Sequence, residues 1–286
     1  NKFYKNAHKI MLKATTVPSA AQKQQNMTYL MKQIEQSSNN TSLASSSSFN
    51  NDNNNNNNNN NNIPVFDKLY KNIKVWSLYL DLEESLGTED TVRAAYDKAY
   101  DMKCITIQMC LNYATYIEDA GYYEESFRIY ERSVYLFTYP NVKVLWLKYI
   151  DKFIERYNNT KLERLRDIIE KSLINLPKFT IESTEMFIKY GQIEEKYGTV
   201  RHALGVYERA ISVVKPNDRL NAYKLYIKKI ETAYGLERTR SVYEKAISVL
   251  DDNSCKILCL DFAETEKLLS EIDRARAIYQ HGCQFA

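Results

Sequence analysis

Three sets of residues in this sequence have types and spacings that invite chemistry. Adjacent carboxylates occur at Glu83-Glu84, Glu124-Glu125 and Glu194-Glu195, the residue type a glycosidase uses as acid and base. Neighbours on a helix project roughly 100° apart and cannot flank one bond from opposite sides, so that reading fails on geometry. Cys255 and Cys259 share a helix face at i and i+4. A tetrahedral zinc site needs four ligands, and no His or further Cys lies close enough to complete one, so buried thiols are expected. The three His (His8, His202, His281) are isolated. No Gly-rich phosphate loop and no G-x-S-x-G nucleophile motif occurs. The expectation is a protein without catalytic, cofactor-binding or metal-ligating residues.

A fourth set is more regular. Glu83, Glu155, Glu231 and Glu266 are followed nine to eleven residues later by Arg93, Arg166, Arg240 and Arg276. That separation carries a chain across a helix–helix turn and back. The pairs are therefore expected to meet between the antiparallel helices of one hairpin, as partly buried charge-assisted contacts that fix register.

The elements that position these residues follow from composition and period. With 7 Gly and 5 Pro in 286 residues, there is little material for the many turns of an all-β fold, and a helical protein is expected. From Lys68 onward the sequence recurs every 34 to 39 residues, as seen by aligning Tyr96, Tyr130, Ile169, Tyr207, Tyr243 and Tyr279. Such a period denotes an array of two-helix units. A second anchor precedes each of these: Tyr79, Tyr113, Tyr149, Tyr190, Tyr226 and Phe262, with Trp76, Cys110, Trp146, Phe187, Tyr223 and Cys259 three residues earlier. Trp76, Tyr79 and Glu83 share one helix face, as do Phe187, Tyr190 and Glu194. These are the first helices, A, and Gly87, Gly121, Gly198 and Gly235 are expected to end them as left-handed residues. The second helices, B, carry the phrase "VYERAIS" at 206–212 and "VYEKAIS" at 242–248. Its Tyr and Ala belong to an apolar stripe, and its Glu-Arg or Glu-Lys pair faces outward. The His are expected at solvated B-helix positions. Pro140, Pro177 and Pro216 stop the B helices.

Upstream, residues 1–18 fit the same register, "AHKIMLKA" at 7–14 lying over "TRSVYEKA" at 239–246. They are expected to be the B helix of a truncated repeat. Residues 19–36 read as a short helix or linker, and 37–65 as a disordered Ser/Asn-rich insertion that cannot bury enough apolar surface to order itself. Residues 66–286 read as an array of about six units. The chain begins without Met inside a helical stretch, and a fragment of a longer protein is expected. Lys and Arg (39) nearly balance Asp and Glu (36) and are interspersed with them, so no footprint for a nucleic-acid backbone stands out. Scattered basic positions (Lys161, Arg164, Arg166, Lys224, Lys228, Lys229) leave non-specific RNA contact open. Five Cys, an odd number, point to free thiols in a reducing compartment, and no apolar run is long enough for a transmembrane helix.

With Trp-x2-Tyr-x3-Glu on one helix and Ala-Arg-x-Ile-Tyr on the next, the array resembles the HAT (half-a-TPR) repeat. "KVWSLYLDLEESLGT" (74–88), "YYEESFRIYERSV" (122–134), "PNVKVLWLKYIDKFIERY" (140–157) and "EIDRARAIY" (271–279) are similar to the SYF-type splicing factors, the XPA-binding protein family. The resemblance implies an α-α superhelix of helical hairpins and a nuclear, non-catalytic scaffold in pre-mRNA splicing. It implies as partners the spliceosomal proteins of the Prp-nineteen-associated complex and further HAT repeats of the same chain, with a link to transcription-coupled repair. The sequence departs from the pattern at the Asn-rich insertion, at Cys110 and Cys259, at Ile169 and at Leu204. Two alternatives stand beside it: a HAT scaffold of 3'-end cleavage or ribosomal-RNA maturation, and a helical-repeat subunit attached to a catalytic partner. The residues expected to carry the architecture are Trp76, Tyr79, Glu83, Tyr96, Tyr113, Tyr130, Trp146, Tyr149, Phe187, Tyr190, Tyr207, Tyr226, Tyr243, Phe262 and Tyr279.

Overall fold

The computed structural model describes residues 2–41, 68–158, 160–174 and 176–285. The insertion expected to be disordered lies outside the described residues from position 42 to its end. Fourteen α-helices and no strand occur among the described residues, so the chain is all-α. It divides into two compact units, Asn1–Ile129 and Tyr130–Ala286.

The first unit holds α1 (Lys2–Ala14), α2 (Ala20–Thr41), α3 (Ile73–Leu86), α4 (Glu89–Asp101), α5 (Ile107–Asp119) and the first part of α6 (Tyr123–Val134). The helix expected to end near residue 36 continues to Thr41, five positions into the segment read as insertion. The second unit holds the rest of α6, then α7 (Lys143–Tyr157), α8 (Leu162–Ile174), α9 (Ile181–Tyr197) and α10 (Val200–Val213). It continues with α11 (Arg219–Tyr234), α12 (Arg240–Ile247), α13 (Asp252–Leu268) and α14 (Ile272–Gly282). Odd-numbered helices from α3 are the A helices and even-numbered ones from α4 the B helices. Each unit is a stack of such hairpins, the helical-repeat architecture that the period requires.

Short polar side chains start the helices by accepting from backbone N–H groups that have no intrahelical partner. Thr106 accepts from the Met109 N–H at 3.3 Å, Asn72 from Lys74 at 2.9 Å and Asp251 from Ser254 at 3.3 Å. At α9 the cap is reciprocal. Ser183 N–H donates to Thr180 Oγ1 at 3.2 Å, and Thr180 N–H donates to Ser183 Oγ at 3.3 Å.

The helix ends correct one expectation. Gly121 and Gly235 do take left-handed conformations, with φ 90° and 87°. Gly87 and Gly198 have φ −79° and −103° and are needed for a different reason. A Cβ on Gly198 would fall 1.9 Å from Oε2 of Glu194, and one on Gly87 2.8 Å from Oε2 of Glu83. The missing side chain leaves room for a buried carboxylate folded back along the last turn. Non-glycine residues take the left-handed role elsewhere. Ser270, at φ 64° after α13, lets Glu271 N–H reach Glu266 O at 2.9 Å, the six-to-one bond of a Schellman end.

Candidate functional site

The residues that recur in the sequence come together at the joints between successive hairpins. Glu194 of α9 is fully buried, and Arg166 of α8 grips it with Nε to Oε1 at 2.7 Å and Nη2 to Oε2 at 2.8 Å. Arg240 of α12 holds the buried Glu266 of α13 in the same fork, at 2.7 and 2.8 Å. At the first joint His8 stands in for the arginine. Its Nδ1 lies 2.5 Å from Oε1 of the buried Glu83, and the Tyr4 hydroxyl donates to Oε2 at 2.9 Å. His8 is therefore not a solvated bystander.

These contacts overturn the pairing expected within each hairpin: Glu194 and Glu266 take their arginines from the preceding B helix and Glu83 its histidine from α1, while the buried Glu118 accepts from Ser126 of its own hairpin at 2.9 Å. The reason is the helix period. The A-helix anchor faces the preceding B helix, and a residue four positions on shares that face. Glu155 and Glu231 are exposed, Glu155 meeting Lys152 at 3.4 Å, and among the described residues Arg276 pairs within its own helix, with Asp273 at 3.3 Å. Arg93 turns to Glu89 of its own helix at 2.6 Å and to Glu125 of α6 at 2.6 Å. In the fifth A helix, α11, the position of the buried Glu is Ile230, and the position of the arginine opposite it is Leu204; both lie in one apolar cluster. The departure at Leu204 is thus matched by an apolar residue across the joint.

Aromatic rings repeat the same step. Tyr96 stacks on Tyr113 with centroids 4.2 Å apart, Tyr130 on Tyr149 at 5.4 Å and Tyr243 on Phe262 at 4.7 Å, all within 9° of parallel. Each stack joins a B anchor to the A anchor of the next hairpin. The hydroxyls are used as well: Tyr149 donates to Glu131 at 3.0 Å, and Tyr96 donates to Glu84. Burial, aided by neighbouring carboxylates, pushes the Tyr79 and Tyr190 hydroxyls up to about 12. Within the fourth hairpin, Gly191 lets the Tyr207 ring lie against α9, since a Cβ there would sit 2.5 Å from the ring.

The Glu-Arg and Glu-Lys pairs of the repeated phrase face outward and form a ladder along the B helices. Arg209 grips Glu170 with Nη1 at 2.6 Å and Nη2 at 2.9 Å, and Lys245 meets Glu208 at 2.6 Å. Arg209 holds the Glu170 carboxyl below the usual carboxylate range. The scattered basic residues are mostly engaged in the same way. Lys224 pairs with Asp261 at 2.8 Å and Lys229 with Glu195 at 2.8 Å. Lys161 lies over the Tyr157 ring and Arg164 over Phe153. Of the six, Lys228 alone has a side chain with neither a hydrogen bond nor an ion pair nor a ring contact among the described residues.

Trp76, Tyr79, Tyr96, Tyr113, Tyr130, Trp146, Tyr149, Phe187, Tyr190, Tyr207, Tyr243 and Phe262 are buried. Tyr226 and Tyr279 differ: both are half-buried. Around Tyr226 the core of its hairpin is carried by Tyr223, Ile227 and Ile230, and Tyr279 lies under the Lys267 ammonium, 4.7 Å from the ring centroid. Cys110 fills the place of an aromatic, buried, with the Tyr100 hydroxyl donating to its sulfur at 3.4 Å. All five Cys are free thiols, and Cys283 alone is exposed. Among the described residues no group of three His, Cys, Asp or Glu is placed to hold a metal ion, and no helix is long and apolar enough to cross a membrane.

Hairpins joined by a recurrent aromatic stack and by a buried Glu held by Arg or His define a HAT-type helical-repeat protein. A family model described as the pre-mRNA-splicing factor Syf1/CRNKL1 C-terminal HAT repeat matches residues 1–286. The chain is 46% identical over 221 residues to the pre-mRNA-splicing factor SYF1 of Homo sapiens, covering 77% of this chain and 26% of that protein. It is 45% identical over 218 residues to the pre-mRNA-splicing factor cwf3 of Schizosaccharomyces pombe, covering 76% and 27%. Similarity to the Dictyostelium discoideum SYF1 is 44% over 223 residues, covering 78% and 26%. The chain belongs to the Syf1/CRNKL1 C-terminal HAT-repeat family. It spans about a quarter of the length of the curated relatives it matches.

Proposed function

We propose that this chain is part of a non-catalytic scaffold in pre-mRNA splicing, working in the nucleus and holding spliceosomal proteins. The observation that carries the reading is a division of labour on the helix surfaces. The recurring side chains are engaged in joints between hairpins. The exposed positions between them, such as Leu78, Val144, Lys228 and Leu260, do not recur and are available to distinguish partners. An array of stacked pairs gives an extended surface suited to several proteins at once. The names of its relatives, pre-mRNA-splicing factors, support splicing as the process.

Within this reading the fifteen anchors are structural, residues 1–18 complete a hairpin joint, and 66–286 form the array. The partners are proteins of the Prp-nineteen-associated complex, together with further repeats of the full-length chain. RNA contact, where it occurs, is non-specific, because most basic side chains already have partners. A second role in transcription-coupled repair belongs to the same scaffold. Crosslinking mass spectrometry on purified spliceosomes tests the reading. Crosslinks from Lys228 to spliceosomal proteins are expected. Purification that returns cleavage or ribosomal-RNA maturation factors without spliceosomal proteins overturns it.

A further inference from the structure

A cavity of about 540 Å³ lies between α10 and α12, with α11 behind it. Its polar lining carries more positive than negative side chains. Arg219, from the first turn of α11, and Lys245 of α12 both line it, against one carboxylate, Glu208. Lys245 and Glu208 meet at 2.6 Å, and both are more than half exposed. Arg219 has no carboxylate partner among the described residues, whereas the inter-hairpin cations Arg209, Lys224 and Lys229 all have one. Tyr223 and Tyr226 add two phenol hydroxyls to the same lining. Burial raises the Tyr223 hydroxyl; Lys245 and Arg219 oppose that rise and Glu208 adds to it, so this hydroxyl lies within reach of both cations and of the one carboxylate.

Two cations and two O–H donors around one carboxylate leave the cavity one negative charge short. Ile211 and Val242 form an apolar wall beside them. The cavity between α9 and α11 contrasts with it, being lined by Ile181, Ile188, Leu225, Glu185 and Asp218 and by no Lys or Arg.

We propose that the α10–α12 cavity receives an acidic side chain of a partner protein, on a segment whose adjacent residue is apolar. The carboxylate takes the Arg219 guanidinium and the Tyr223 hydroxyl, and the apolar neighbour packs on Ile211 and Val242. A charge-assisted contact in a partly enclosed site is of the kind that fixes specificity. A nucleic-acid backbone fits less well, because Glu208 and the apolar wall oppose a polyanion and only two cations face it. The proposal rests on the scaffold reading and supplies the chemistry of one partner.

The test uses the whole chain and a dye-labelled peptide containing Leu-Asp-Leu-Asp, with Leu-Asn-Leu-Asn as control, read by fluorescence anisotropy. Saturable binding of the Asp peptide is expected, with at least about tenfold weaker binding of the Asn peptide. Arg219→Glu and the milder Arg219→Gln are each expected to weaken the Asp peptide by about tenfold or more while the circular dichroism spectrum is unchanged. Arg201→Glu, on an exposed turn of α10 outside the cavity, is expected to leave binding intact. No saturable binding at millimolar peptide, equal binding of the two peptides, or binding indifferent to Arg219 overturns the proposal. So does an oligouridylate that displaces the Asp peptide and is itself lost on Arg219→Glu. Spliceosomal crosslinks that persist alongside such a failure remove the acidic-segment site and leave the scaffold reading standing. Absent crosslinks with intact peptide binding remove the scaffold reading instead.

Discussion

Arg166 and Glu194, 28 residues apart on different hairpins, are joined by two parallel charge-assisted bonds at 2.7 and 2.8 Å. Glu194 is 0% exposed and the Arg166 side chain 16%. Removing one member of such a pair leaves a buried charge without compensation, whereas replacing both by apolar residues is often neutral. Arg166→Leu is expected to destabilise the second unit by about 3 kcal/mol. The double variant Arg166→Leu with Glu194→Ile, copying Leu204 and Ile230, is expected to recover all but about 1 kcal/mol. Urea melts decide the matter, and a double variant as unstable as the single one would refute the joint as described.

Two glycines of the same hairpin are expected to respond oppositely to alanine. Gly205 sits inside α10 with nothing within 4 Å of its would-be Cβ, so Gly205→Ala should stabilise by about 0.5–1 kcal/mol through the entropy of the unfolded chain. Gly198→Ala drives a methyl into the Glu194 carboxylate and should destabilise by about 1–3 kcal/mol. In a Glu194→Ala background that penalty should largely vanish, which thermal melts of the four variants will show.

Ser270 holds a left-handed conformation at φ 64° where Gly121 occupies the equivalent bend at 90°. Left-handed backbone costs a non-glycine residue roughly 1–2 kcal/mol. Ser270→Gly is therefore expected to raise the melting temperature, while Gly121→Ser lowers it. Equal melting temperatures for Ser270→Gly and the parent would show that the bend carries no strain.

High pH is expected to open the joints. The Tyr79 and Tyr190 hydroxyls are pushed up to about 12 from an ordinary 10.0, so between those values the folded state holds protons that the unfolded state has released. Their contribution to stability is complete below pH 10 and is lost as pH climbs toward 12. Chemical denaturation from pH 9 to 12 should show stability falling over that window, with a shallower fall in Tyr190→Phe. A fall as steep in Tyr190→Phe as in the parent would contradict this.

Glu83 is the acceptor for both Tyr4 and His8. Glu83→Ala is expected to release α1, so its amides exchange with deuterium as fast as those of an isolated helix, while α4 and α5 keep their protection. Unchanged protection of Lys2–Ala14 would mean that other contacts hold the helix.

The period, the assignment of A and B helices and the apolar stripe were legible because 3.6-residue helix geometry writes itself directly into spacing. The partner of each buried Glu was not. A gap of nine to eleven residues suggested Arg93 for Glu83 and Arg240 for Glu231, since the turn of a hairpin brings those stretches of chain together. An A helix lies between two B helices, however, and sequence distance favours the nearer one. The signal that does find the partner is the shared face of Tyr190 and Glu194, coupled with the matched exchange of Arg and Glu for Leu204 and Ile230. The end glycines misled for a similar reason. Gly at a helix end usually reports a left-handed residue, and nothing local distinguishes Gly121 from Gly198 until the carboxylate of Glu194 is seen beside it.

His8 and Glu83 lie 75 residues apart in the sequence, yet their side chains set how α1 meets α3. The position of α1 is thus fixed by a docked surface and owes nothing to the length of chain that links the two helices. For a chain joining two docked ends, each doubling of length costs only about 0.6 kcal/mol. The joint between α1 and α3 is therefore expected to survive a change in the number of residues between Thr41 and Lys68.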